Sequence, residues 1–165
     1  MALIYISVGS NIERHKNILR AFDLLQQRYG TIQASTVYEN SAVGFDGDDF
    51  YNLVLCFHTE EDPQTLVGNL HQIEEACGRI RPSTCDSRTM DLDLLIYDDL
   101  VLQQGKLQLP RPEITEYPFV LKPLAEIAGD RPHPISGQTY TELWQTFPQH
   151  NTSLTPVPFT LGHND

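Results

Sequence analysis

Two aspartates, Asp91 and Asp93, stand two positions apart in the otherwise apolar run MDLDLLIY, residues 90 to 97. On a strand, side chains two apart share one face, with roughly 7 Å between their Cβ atoms. That spacing can bracket one or two divalent ions, since paired catalytic metals lie about 3.5 to 4 Å apart. Magnesium suits such a pair, because it takes oxygen ligands, needs one or two protein carboxylates, and fills its octahedron with water and substrate phosphates. An isolated pair of this kind is more often a solvated strand face. Here the context differs: Arg79, Arg81 and Arg88 are three of eleven basic residues, and all lie just before the acids. Arginine forks bind phosphate oxygens and offset charge that develops during transfer, so the combination points to polyphosphate chemistry. Ordinary ion pairs with Asp86, Glu74 or Glu75 are the competing account of the arginines.

Other polar features carry less. The segment SVGSN, residues 7 to 11, ends a strand and opens a helix, a place where backbone amides cradle anions. It lacks the Walker lysine and the GxGxxG pattern, so a tight turn with a cap is the simpler account. His71 and Glu74, three apart on a helix, share a face toward which a nucleotide or metal would lie; a solvated helix position is the plainer reading of His71. Cys56 and Cys77 fall in apolar patterns and read as packing residues, Cys85 lies in a polar loop, and the odd count of three argues against a disulfide framework.

At 165 residues, with 40% hydrophobic and 20% charged residues, the chain fits one globular domain with a sizeable core. A formal net charge of -11 opposes general attraction to a phosphate backbone, which argues against a nucleic-acid partner. The opening MALIYISVGSN shows no basic leader, and its apolar run is too short to span a bilayer. No membrane is expected, and the location expected is cytoplasmic.

The elements that must position the acids follow from period and punctuation. Residues 3 to 8 read as a buried strand. Asn11 is a plausible cap for a helix carrying Ile18, Phe22 and Leu25 and stopped by Gly30. Residues 31 to 38 and 50 to 57 read as strands joined by a Gly/Asp loop. Asp62 and Pro63 open a second helix with Leu66, Leu70, Ile73 and Cys77 on one face, closed by Gly78, and residues 90 to 97 form the next strand. This order gives an α+β, ferredoxin-like βαββαβ core: an antiparallel sheet with both helices on one face and the other face partly open. Alternation then sends Met90, Leu92, Leu94 and Ile96 to the helix side and Asp91 and Asp93 to the open side. It likewise buries Tyr51, Leu53, Leu55 and Phe57 and turns Phe50 and Asn52 outward. A hairpin at 100 to 109, a helix within YPFVLKPLAEIAG and a short helix at 139 to 147 follow. Residues 1 to 147 are thus expected to form the single domain and 148 to 165 an irregular tail.

With these residues in place, the sequence resembles the 6-hydroxymethyl-7,8-dihydropterin pyrophosphokinases of folate biosynthesis. The likeness runs from YISVGSN through DFYNLVL, IEEACGRIR and SRTMDLDLLIYDD to LPRPEITEYPFVLKPLAEIAGD, roughly residues 4 to 130. The ordered set of GSN, Phe50-Tyr51-Asn52, GRxR and RTxDLD is far more specific than any one part. The resemblance implies a 2-amino-4-hydroxy-6-hydroxymethyldihydropteridine diphosphokinase, which moves pyrophosphate from ATP to the pterin hydroxymethyl oxygen and releases AMP. It implies that Asp91 and Asp93 hold two magnesium ions and that Arg79 and Arg88 grip phosphates and support transfer. It places Asn40, Ser41, Val43, Phe50, Asn52 and Phe119 at the pterin, and His71, Glu74, Arg81, Lys106 and Arg111 as candidates for ATP. The partners implied are ATP and a reduced hydroxymethylpterin, taken up by a monomer.

The chain departs from the family pattern at two places. Many members carry WGPRTxDLD, where this chain has CDSRTMDLD, with Cys85, Asp86 and Ser87 in the closing loop over the pterin. Many also carry Pro-His after the hairpin with an arginine further on. Here Pro110-Arg111-Pro112 and Tyr117 occupy that region, and Arg111 would take over the phosphate contact. Two alternatives stay open beside the kinase: a pterin- or nucleotide-binding homologue with little activity, and a ferredoxin-like regulatory or interaction domain.

Overall fold

The two-faced strands dictate the layering. The computed structural model describes residues 1–42, 47–79, 90–148 and 153–161. In these, β1 (Ala2–Ser10), α1 (Arg14–Tyr29), β2 (Gln33–Ala34), β3 (Val37–Asn40), β4 (Phe50–Thr59), α2 (Pro63–Ala76) and β5 (Asp91–Tyr97) follow in order. After them come β6 (Leu102–Gln104), β7 (Leu107–Leu109), a 3-10 turn (Pro112–Thr115), α3 (Pro118–Ala128), α4 (Tyr140–Gln145) and β8 (Thr155–Val157). The main sheet runs β5-β1-β4-β3-β8 with β2 beside β4, and its ladders are antiparallel. The first four positions of that order are the ferredoxin-like arrangement the element order predicts.

The helix-side core joins Ile4, Ile6 and Val8 of β1 to Leu53, Leu55 and Phe57 of β4 and to Leu92 and Leu94 of β5. Over them lie Ile18, Phe22 and Leu25 from α1 and Leu66, Leu70 and Ile73 from α2. On the opposite face, Tyr5, Val54 and Cys56 meet Val120, Leu121 and Leu124 of α3 and Tyr140 of α4. This second layer covers only part of that face. The uncovered end carries the carboxylates.

Four expectations need correction. Ile96 does not join the helix-side core. A register shift between Tyr5 and Ile6 opposes Ile6 to Leu94 and Tyr5 to Ile96, so Leu95 is the extra residue of a β-bulge. Leu95 and Ile96 therefore both pack beneath α3. The strand expected at 31 to 38 is split, because Ser35 donates its N–H to the Val54 carbonyl and accepts the Val54 N–H on its hydroxyl, at 2.9 Å each. Asn11 does not cap α1. Glu13 holds that position with φ of 40°, and the Asn11 amide instead donates to the Asp48 carbonyl at 3.1 Å. Finally, residues 155 to 157 of the expected irregular tail form β8, whose Pro156 is tolerated because the strand lies at the sheet edge.

Helix α2 follows expectation: Pro63 starts it, and the Asp62 carboxylate accepts the Thr65 N–H at 2.8 Å. Cys56 and Cys77 are buried free thiols. Among the described residues no helix is long and apolar enough to cross a membrane.

Candidate functional site

Strand alternation builds the floor of a cleft of about 1180 Å³ on the uncovered end of the sheet. Asp91 and Asp93 on β5, Ser7 and Gly9 on β1, and Phe50 and Asn52 on β4 face it together. Pockets for one drug-sized ligand run from about 300 to 1,000 Å³, so this cleft is larger than one such ligand usually occupies.

The bulge in β5 brings a cation to the two carboxylates. Released by the extra residue, the Leu95 carbonyl accepts the Arg111 N–H at 2.9 Å. The Arg111 guanidinium then lies 3.5 Å from Asp93 and 3.2 Å from Glu113. Arg79, just past α2, donates to Asp91 at 2.8 Å, to Glu74 at 3.0 Å and to the Met90 carbonyl at 3.3 Å. Among the described residues its buried Nε has no acceptor. Lys106, in the β6–β7 turn, and His71, on α2, line the same cleft.

Glu74 requires a correction as a nucleotide contact. It is 1% exposed and absent from the cleft lining; its carboxylate accepts the Leu92 N–H at 2.6 Å and the Arg79 guanidinium. It anchors Arg79 to β5 from behind.

Electrostatics single out Asp93. Burial, followed by the facing Asp91 carboxylate, holds it well above the usual carboxylate range, against the opposing pull of Arg111. Two oxygen donors that repel each other across a shared space are relieved by a divalent cation. No group of three or more His, Cys, Asp or Glu converges among the described residues. An all-oxygen pair backed by open space therefore fits magnesium, which keeps several waters and substrate oxygens in its shell.

The other end of the cleft suits a flat heterocycle. Asn52 is buried, and its amide nitrogen donates to Asn40 Oδ1, while Asn40 donates to the Ser41 carbonyl at 3.0 Å. Gly9 leaves room for it, since a Cβ there would stand 2.9 Å from Asn52 Oδ1 and displace the amide. Phe119, in the first turn of α3, stacks on Tyr117 at 5.0 Å and 25°, and both rings line the cleft with Phe50. Ser41 is exposed and outside the lining.

The structure thus brings together Asp91, Asp93, Arg79, Arg111, Lys106, His71, Asn40, Phe50, Asn52 and Phe119 around one cleft. Val43, Arg81 and Arg88 lie outside the described residues, as do Cys85, Asp86 and Ser87. Sequence reasoning missed Tyr117 as a wall residue, although an aromatic two positions before Phe119 at a helix start was a usable signal. It also missed Gln64, whose amide donates to Gln104 at 2.8 Å across the cleft mouth.

The chain is similar to known proteins over most of its length. The family model for 7,8-dihydro-6-hydroxymethylpterin-pyrophosphokinase matches residues 5–129. The 2-amino-4-hydroxy-6-hydroxymethyldihydropteridine pyrophosphokinase of Aquifex aeolicus is 34% identical over 92% of this chain and 94% of its own length. The folic acid synthesis protein fol1 of Pneumocystis carinii is also 34% identical over 94% of the chain, but the match spans 21% of that longer protein. A crystal structure of wild-type Plasmodium falciparum HPPK-DHPS shares the fold, with a TM-score of 0.69 at 14% identity over 87% of this chain and 40% of that one.

Proposed function

Because the chain belongs to the 7,8-dihydro-6-hydroxymethylpterin-pyrophosphokinase family, we propose that it transfers pyrophosphate from ATP to 6-hydroxymethyl-7,8-dihydropterin and releases AMP. The observation that carries the reading is the shared floor: Asp91 and Asp93 face the same cleft as Phe50 and Asn52. A polyphosphate end and a heterocycle end therefore lie on one surface.

The pterin hydroxymethyl oxygen attacks the β-phosphorus in line, giving up its proton to solvent, while the bond from that phosphorus to the α-phosphate oxygen breaks, so AMP leaves. Such a transfer needs positioning and neutralisation of charge more than a covalent nucleophile. Magnesium, most simply two ions held by Asp91 and Asp93, supplies Lewis-acid neutralisation of the phosphate oxygens when bound. Arg79, held at Asp91 and Glu74, supplies positive charge beside the phosphates. Arg111 and Lys106 hold the polyphosphate from the β7 side, and the sequence expectation adds Arg81 and Arg88 as further cations. Asn52, steadied by Asn40, reads the heterocycle's hydrogen-bonding edge, and Phe50, Phe119 and Tyr117 grip its faces. A cytoplasmic, monomeric enzyme is the setting this chemistry suits.

The test is AMP formation from ATP, magnesium and the reduced hydroxymethylpterin. Asp91→Asn and Asp93→Asn should each lower the rate by orders of magnitude. Folded protein that forms no AMP, or a full rate in both variants, sinks the proposal.

A further inference from the structure

The C-terminal segment reaches the heterocycle end of the cleft from behind. β8 pairs with β3 through Val37 and Val157, Tyr38 and Pro156, and Glu39 and Thr155. Phe159 then sets its ring 4.5 Å from His15 on α1 and meets the Tyr51 ring edge-on at 6.0 Å. Arg14 lies over the same Tyr51 ring at 3.9 Å, pairs with Glu39 at 2.6 Å and donates to the Asp49 carbonyl at 3.0 Å.

Glu39 and Tyr51 are cross-strand partners. Their strand neighbours, Asn40 on β3 and Phe50 and Asn52 on β4, project from the other face into the cleft. The aromatic and charged cluster is therefore back to back with the amide pair. Three residue pairs join β3 to β4 here, and a ladder that short opens readily at its end unless something holds it.

We propose that Phe159 is a positioning residue for the heterocycle end of the cleft. Through Tyr51 and Arg14, the C-terminal strand fixes the ends of β3 and β4 and so sets the geometry of Asn40 and Asn52, without touching the ligand. The choice of a pterin as ligand rests on the function proposed above; the clamp itself does not.

The experiment compares Phe159→Ala and Phe159→Tyr with the parent chain. Phe159→Ala should raise the KM for the hydroxymethyldihydropterin roughly 2- to 10-fold, the loss expected for an aromatic contact, with kcat and the KM for ATP unchanged. Phe159→Tyr, which keeps the ring, should restore the parent value. In parallel, amide hydrogen exchange should speed up at residues 37–40 and 50–52 in Phe159→Ala and stay unchanged at 91–96. Exchange that rises equally in β5, substrate constants that rise together, or no change in exchange overturns the proposal. The exchange measurement needs no substrate. A parent chain that neither binds nor converts the pterin would count against the proposed reaction and leave the clamp to be decided by exchange.

Discussion

Glu74 and Arg79 meet at 3.0 Å behind the cleft wall, the carboxylate 1% exposed and the guanidinium side chain 12%. Because Glu74 also accepts the Leu92 N–H, it ties the end of α2 to the strand that carries both aspartates. Removing Glu74 leaves Arg79 with Asp91 as its remaining ion-pair partner and takes the charged acceptor from the buried Leu92 N–H, a loss of about 1.5 to 3 kcal/mol. Glu74→Ala should lower unfolding stability in urea by that amount and slow transfer as Arg79 loses its orientation. A stability loss under about 1 kcal/mol would mean that Glu74 behaves as a solvated acid.

Gly9 and Asn52 make a sharper prediction, because the affected group is one side chain. A Cβ at position 9 would stand 2.9 Å from Asn52 Oδ1, closer than real Cβ atoms approach. Gly9→Ala should push the amide aside and raise the pterin KM roughly 5- to 10-fold, in line with an overpacking cost of about 1 kcal/mol. The KM for ATP should hold. An equal rise for both substrates would show that the substitution disturbs β1 as a whole.

The stacked pair Tyr117 and Phe119 should act as one wall. Either ring replaced by alanine should weaken pterin binding, and the double variant should lose less than the two single losses combined, because each single change already breaks the 5.0 Å stack. Fluorescence titration of the pterin against the four proteins measures this coupling. Strictly additive losses would place the two rings in separate roles.

Much of this site was legible because strand alternation is a local rule. Asp91 and Asp93 on one side and Leu92 and Leu94 on the other follow from a period of two, as do Asn52 and Phe50 against Leu53 and Leu55. The bulge was hidden because Leu94, Leu95 and Ile96 are all apolar, so no polar residue marks where the alternation slips. Its effect on the site is direct, since the Leu95 carbonyl accepts the Arg111 N–H and Arg111 lies 3.5 Å from Asp93. Glu74 was misread for a different reason. A carboxylate on a helix reads as exposed unless its distant partners, the Leu92 amide and Arg79, are known. β8 escaped because Pro156 and Pro158 argue against a strand, whereas the partner that makes it one lies more than a hundred residues away.

Asp93 gives the pH prediction, and its sign follows from the direction of the shift. Its carboxyl is held above its unfolded value of about 3.9 by burial and by the facing Asp91 charge. The folded state therefore binds the proton more tightly than the unfolded chain. That contribution to stability is fully present below the unfolded value and is lost as pH rises through the raised folded value. Without divalent ions, the melting temperature of Asp93→Asn relative to the parent should climb as pH rises through that window, since the amide never acquires the charge. If Asp93 holds magnesium as proposed, the metal would compete with the same proton, so its affinity should fall on acidification and its binding should release protons. Calorimetric titration of magnesium in two buffers of different ionisation enthalpy reads that release directly. Heats that agree between the buffers below neutrality would show that Asp93 is already ionised before the metal arrives.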